Sequence, residues 1–182
     1  MMRIFQISLA FAGLLAVAAL PSTASAQFFS DTTSDTSVGA DAVVTEGGVT
    51  TLTGQVDIRQ AGARLLADKV VLYNRPGGNG GIGFSGDGIE RMVATGNFYY
   101  ITPEQEVRGD KGIYTAADDG FVVTGSVILL QDQNVVTGDR LVYNLNTREA
   151  KVTSQCKSRK CPRRKRVSIL IKSTNSGTGA TN

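Results

Sequence analysis

The feature that most constrains the fold of this chain is an internal repeat. Thr53-Gly54, Thr95-Gly96 and Thr124-Gly125 are each followed, fourteen residues after the glycine, by an aspartate, at Asp68, Asp110 and Asp139. A tyrosine comes four or five residues later, at Tyr73, Tyr114 and Tyr143. Units this short cannot bury a core alone, so they must stack on one another. A stack of like strand pairs makes a surface or a trough rather than a catalytic pocket, and the first expectation is a binding or scaffolding chain.

Alternation within the units predicts strands. At the second and fourth positions after each glycine stand Val56 and Ile58, Phe98 and Tyr100, Val127 and Leu129, with Gln55, Asp57, Asn97 and Ser126 among the residues between them. One face is therefore apolar and the other mostly polar. The second halves carry Leu65, Val107 and Val136, then a small residue (Ala67, Gly109, Gly138), the aspartate, a base (Lys69, Lys111, Arg140) and an apolar-aromatic end. That end contributes Val70, Leu72, Tyr114, Leu141 and Tyr143 to the apolar set. Apolar parity changes across the small-Asp pair, which predicts that this pair is a bulge or corner that re-aims the strand. In that setting the repeated aspartate is a corner residue bonding nearby backbone, not a catalytic acid.

No stretch after the first 26 residues has the 3.6-residue periodicity of a helix, so the fold is expected to be all-β. Hairpin links are expected at Glu46-Gly47-Gly48, Thr102-Pro103-Glu104, Ala117 to Gly120, Gln131 to Asn134 and Asn144 to Arg148. Ala40-Asp41-Ala42-Val43-Val44 resembles the second half of a further unit, and order is expected to begin near Val38 after a mobile lead, 27–37. Between the first and second units lies a loop, 75–88, with seven glycines and one proline. It spells GxGxxG at Gly78 to Gly83, but the dinucleotide motif requires a helix to follow, and a strand pattern follows here.

The first 26 residues read as a cleaved export signal: Arg3, an apolar run from Ile4 to Leu20, and the small-residue site Ala24-Ser25-Ala26. Residues 27–150 hold nine Lys/Arg against sixteen Asp/Glu, whereas 151–182 hold nine Lys/Arg and no acid. The body is acidic and the end is strongly basic. Histidine is absent from the chain, which removes the commonest general base and zinc ligand and argues against hydrolase triads and metal sites. Cys156 and Cys161 could form a local bridge in an exported chain, or have no part in the fold. Residues 173–182 read as a disordered Ser/Thr/Gly/Asn tail.

Leu52-Thr53-Gly54-Gln55-Val56, Ala67-Asp68-Lys69-Val70-Val71-Leu72-Tyr73, Ala94-Thr95-Gly96-Asn97-Phe98, Val123-Thr124-Gly125-Ser126-Val127 and Gly138-Asp139-Arg140-Leu141-Val142-Tyr143 resemble the LptA/OstA family of periplasmic lipopolysaccharide-transport bridges. The resemblance covers residues 38 to 152 and, more weakly, Arg166 to Ile171, within a domain taken as 38–172. It implies an antiparallel β jelly roll, slightly opened into a V, whose apolar inside holds the acyl chains of lipopolysaccharide. The lipid-binding set would be the inward residues above: Val56, Ile58, Leu65, Val70, Leu72, Phe98, Tyr100, Val107, Tyr114, Val127, Leu129, Val136, Leu141 and Tyr143. The same residues could instead fill a closed core.

The resemblance further implies that the end strands join neighbours edge to edge. An inner-membrane transport-complex partner would meet the N-terminal edge, represented by Val43. The outer-membrane translocon would meet the C-terminal edge, represented by Ile169, and copies of the chain could pair head to tail. No enzyme activity, cofactor, metal or nucleic acid is implied, and the location is the periplasm. Gln155 to Arg166 is basic and outside the family pattern; it could touch lipopolysaccharide phosphates, bind an anionic membrane, or be a solvated linker. The rival from another class is a secreted structural β-solenoid or adhesin, whose repeats serve only to stack.

Overall fold

A computed structural model describes residues 34–76 and 88–172, apart from 146, 148, 157, 163 and 164. The export signal, nearly all of the glycine loop and the tail from 173 lie outside the described residues. Ten strands follow in order: β1 (Thr36–Gly39), β2 (Ala42–Glu46), β3 (Val49–Gln60), β4 (Ala63–Asn74), β5 (Ile89–Ile101), β6 (Gln105–Thr115), β7 (Gly120–Gln131), β8 (Asn134–Asn144), β9 (Ala150–Thr153) and β10 (Ser168–Leu170). From β3 to β8 each strand pairs antiparallel with the next. On the outer side of β3 lie β1 and β2, and on the outer side of β8 lie β9 and β10. Among the described residues the sheet does not close.

The first strand begins at Thr36, two residues before the expected start. Thr36 and Ser37 pair with Gln60 and Arg59, so the end of the expected mobile lead is an edge strand. The expected last strand, Val167 to Ile171, is observed as Ser168–Leu170. Hairpins turn where residues can adopt positive φ: Gly47 and Gly48 at 55° and 80°, Ala61 and Gly62 at 49° and 80°. The Ala61-Gly62 turn, which sets the β3–β4 register, was not among the expected links.

The corners are where the repeat does its structural work, and the expected position of the bulge needs correction. Between Thr53↔Lys69 and Val56↔Ala67, β3 has two residues, Gly54 and Gln55, facing the single Asp68 of β4. The same two-against-one step recurs at Gly96-Asn97 facing Asp110 and at Gly125-Ser126 facing Asp139. The extra residue therefore belongs to the Gly-x pair, not to the small-Asp pair. Its cause is two successive left-handed residues, Gly54 at 78° and Gln55 at 45°, Gly96 at 78° and Asn97 at 44°, Gly125 at 80° and Ser126 at 42°. The aspartate of the preceding strand fills the space beside each glycine: an added Cβ at Gly125 would lie within 2.7 Å of three Asp110 side-chain atoms.

These aligned corners fold the sheet onto itself. On a flat sheet Tyr100 of β5 faces Val107 of β6, which faces Leu129 of β7, eight residues from Phe121. Yet the rings of Tyr100 and Phe121 are 5.2 Å apart between centroids. The halves of each strand before and after the corner must therefore face each other across one interior, giving a slightly opened antiparallel β jelly roll. One buried cluster runs through both limbs, from Leu52, Val70, Val123 and Leu141 to Ile58, Leu65, Phe98 and Leu129.

Candidate functional site: the inner face and its two ends

Side-chain direction in a strand alternates, so every residue in phase with the second and fourth positions after the corner glycine points inward. Of the fourteen candidate lipid-binding residues, thirteen are buried in the one cluster, and Val136 is partly buried against it. The structure thus brings the whole set onto one apolar surface. Running the same phase backward through the glycine finds inward residues that the sequence reading passed over: Leu52, Ala94 and Val123 two before it, Met92 and Phe121 four before it. Two polar residues share this phase among the described residues: Gln60, and Thr50, fully buried, whose hydroxyl meets that of Thr45 at 3.1 Å.

Aromatic rings fill the middle of the interior. Phe121 lies 5.3 Å from Tyr114 and 6.5 Å from Phe98 between centroids. The Tyr114 hydroxyl reaches the Asp119 carboxylate at 3.5 Å. Burial first, and then the neighbouring Asp119 charge, push the Tyr114 hydroxyl up to about 12, so it remains a neutral donor.

Midway along the stack the inner face is covered, but at both ends it is bare. Val43 faces Leu52 and so shares its side of the sheet, yet is 47% exposed. Ile169 faces Val136 at the other end and is 62% exposed. Each belongs to a strand with one neighbour, β2 on β3 and β10 on β8. The two residues taken to represent the partner edges thus sit where apolar surface and unpaired backbone coincide.

Outward positions carry polar networks. Asp57 accepts two hydrogen bonds from the Arg64 guanidinium, at 2.9 and 2.8 Å, and two from Arg59, at 3.2 and 2.8 Å. Arg64 first and Arg59 second hold its carboxyl well below the usual carboxylate range. Asp68 accepts from the Asn97 amide at 3.0 and 3.1 Å. Asp139 accepts from the Gln155 backbone N–H and the Ser154 hydroxyl, both at 2.8 Å, and these bonds lower its carboxyl below the usual value. The repeated aspartates lie along the corners of successive units, spread out rather than converged as an acid/base pair would be.

Most described residues between Thr153 and β10 are exposed, and local bonds shape the segment. Cys156 and Cys161 are disulfide-bonded, with Cα atoms 6.0 Å apart. The Cys161 N–H donates to the Ser158 carbonyl at 3.1 Å, and the Lys165 N–H to the Pro162 carbonyl at 2.9 Å.

Residues 37–149 match the family described as "LptA/(LptD N-terminal domain) LPS transport protein". The chain belongs to this lipopolysaccharide-transport family. Its fold is similar to one described as "Crystal structure of LptH, the LptA homologous periplasmic component of the conserved lipopolysaccharide transport device from Pseudomonas aeruginosa", with a TM-score of 0.63 at 20% identity. The likeness covers 79% of this chain and 99% of that one. No curated protein sequence matches the chain significantly. The family is described as one of lipopolysaccharide transport, and the sheet found here has a continuous apolar inner face, packed as one buried cluster. The matched stretch ends at residue 149, so β9, the disulfide-strapped segment and β10 lie beyond it.

Proposed function

We propose that the chain is a periplasmic lipopolysaccharide-binding bridge, carrying the lipid from the inner towards the outer membrane without chemistry on it. The observation that supports this best is the inner face itself: apolar from β2 to β10, bare at Val43 and Ile169, and flanked at both ends by strands with a free side. Each acyl CH₂ taken from water onto such a surface is worth about 0.8 kcal/mol, so several acyl chains are shielded by burial alone. Chains enter at a bare end and are accommodated as the limbs part, with Phe98, Tyr100, Tyr114 and Phe121 lining the middle of the path. The free sides of β2 and β10 receive strands of the transport-complex partner at the N-terminal edge and of the outer-membrane translocon at the C-terminal edge.

Photo-activatable residues test this. Placed at Phe98, Val127 or Leu129 they are expected to label lipopolysaccharide in the intact cell envelope, while one at Val142, outward and 40% exposed, is not. At Val43 and Ile169 they are expected to label proteins. Equal lipid labelling at Val142 and Phe98 overturns the inner-face assignment. A structural solenoid would give no lipid labelling anywhere.

A further inference from the structure

The C-terminal edge strand is interrupted by an insertion that the other units lack. Thr95, Thr124 and Thr153 are spaced 29 residues apart, and Ser154-Gln155 stands where Gly96-Asn97 and Gly125-Ser126 turn their corners. In β7, Leu129, the inward partner of Val136, comes five residues after Thr124. On the other side of Val136 the partner is Ile169, sixteen residues after Thr153. Eleven residues, 156–166, are therefore inserted at the corner, after which the strand resumes. They include seven Lys/Arg and no acid.

This loop is fastened. The disulfide closes its first half, and the Ser154 hydroxyl lies within reach of both the Asp139 carboxylate and the Lys165 carbonyl, donating its one proton to either and so linking the start of the loop to its end. Arg140 and Lys165 flank a cleft of about 470 Å³ beside it. The bonds place the described cations of the loop, Arg159, Lys160, Lys165 and Arg166, exposed beside this edge.

The opposite edge has the complementary pattern. Residues 27–58 contain five carboxylates and no Lys or Arg. Of these, Asp35, Asp41 and Glu46 are exposed on or beside β1 and β2. In the three later units the residue after the corner aspartate is a base, and it sits opposite the corner threonine of the neighbouring strand: Lys69 on Thr53, Lys111 on Thr95, Arg140 on Thr124. At the N-terminal edge that position is Ala42. A further strand laid on β9 in the same rhythm places Ala42 opposite Thr153 and Asp41, without a base of its own, beside the strapped loop.

We propose that the disulfide-strapped basic loop is an electrostatic latch for the acidic N-terminal edge of a second copy of this chain, supplying across the junction the base that Asp41 lacks. The proposal rests on the edge pairing in the function proposed above and adds the rule that sets its polarity. Two basic edges repel, two acidic edges repel, and only head-to-tail contact joins unlike charge. Single exposed pairs contribute little, but a cluster of cations against the exposed carboxylates of Asp35, Asp41 and Glu46 makes the contact salt-dependent.

The oxidised chain is to be followed by sedimentation equilibrium at about 50 and about 500 mM salt, over which the Debye length falls from roughly 14 to 4 Å. Self-association is expected to weaken at least about tenfold with salt. At low salt, Arg159→Glu/Lys160→Glu in the loop and Asp35→Lys/Glu46→Lys at the acidic edge are each expected to weaken it comparably, and an equimolar mixture of the two variants to restore pairing. Cys156→Ser/Cys161→Ser is expected to lose part of the affinity. Absent self-association at low salt, salt-independent association, or failure of the reversed variants to pair overturns the latch. So does a loop variant that loses binding to vesicles of anionic phospholipid while its self-association is unchanged, because the occupant is then a lipid surface. Lipopolysaccharide capture is measured on the same samples: capture without pairing leaves the transport reading standing, and pairing without capture leaves the latch standing.

Discussion

Gly112 is expected to be a glycine only because Phe98 occupies the place of its side chain. Its backbone is ordinary β, so alanine there carries no conformational strain, but the added Cβ would lie within 2.8 Å of three Phe98 ring atoms. Phe98 is itself fully buried and close to Phe121, so its ring has no solvent to retreat into. Gly112→Ala in the parent is therefore expected to cost about 1–3 kcal/mol, the range for overpacking a well-filled core. Phe98→Ala is expected to cost about 3–5 kcal/mol through lost transfer energy and a cavity. In the Phe98→Ala background the clash is gone, and Gly112→Ala should be neutral or stabilising. The double-mutant cycle is thus expected to show a coupling of about 1–3 kcal/mol, measured from urea unfolding at constant m. Additive costs within about 0.5 kcal/mol refute the contact, and with it the folding of the two limbs onto one interior.

Gly125→Ala combines a φ of 80° with a collision against Asp110, so it is expected to destabilise the fold by more than about 2 kcal/mol in the same assay, well beyond the cost of left-handed backbone alone. Stability is expected to fall in acid: Asp57 and Asp139 have folded pKa values below their unfolded ones, so their contribution is complete above the unfolded value of about 4 and is lost as pH falls through the folded values. Thermal unfolding of the parent between about pH 5 and 2 should therefore decline more steeply than that of Asp57→Asn, and parallel curves would remove Asp57 from the account.

Phase and spacing carried most of the architecture. The alternation at Val56/Ile58, Phe98/Tyr100 and Val127/Leu129 predicted inward residues that are buried without exception, because a strand's side-chain period of two leaves no freedom once one face is apolar. The Thr-Gly and Asp spacings likewise predicted stacked pairs with corner aspartates. What they left undecided was which partner of each corner carries the extra residue. That depends on backbone φ at Gly54-Gln55 and its equivalents, and of Gln55, Asn97 and Ser126 only Asn97 is of a type that favours left-handed backbone, so the three positions share no common signal. The counterpart of the corners in the last edge, Thr153-Ser154-Gln155, was hidden because serine replaces the glycine, the left-handed pair is absent and eleven residues separate it from the rest of its strand; only the pairing of Ile169 with Val136 shows the two pieces to be one edge. The fold-back of the sheet is also a tertiary result. Residues as distant along the ladder as Tyr100 and Phe121 meet because corners on adjacent strands line up, and no local pattern contains that alignment. Sequence determined which side chains are apolar and in what phase, since those are properties of single residues and their spacing; tertiary structure decided that the apolar phase lines one interior left bare at both ends, because cover depends on what the opposite limb and the missing neighbouring strand provide.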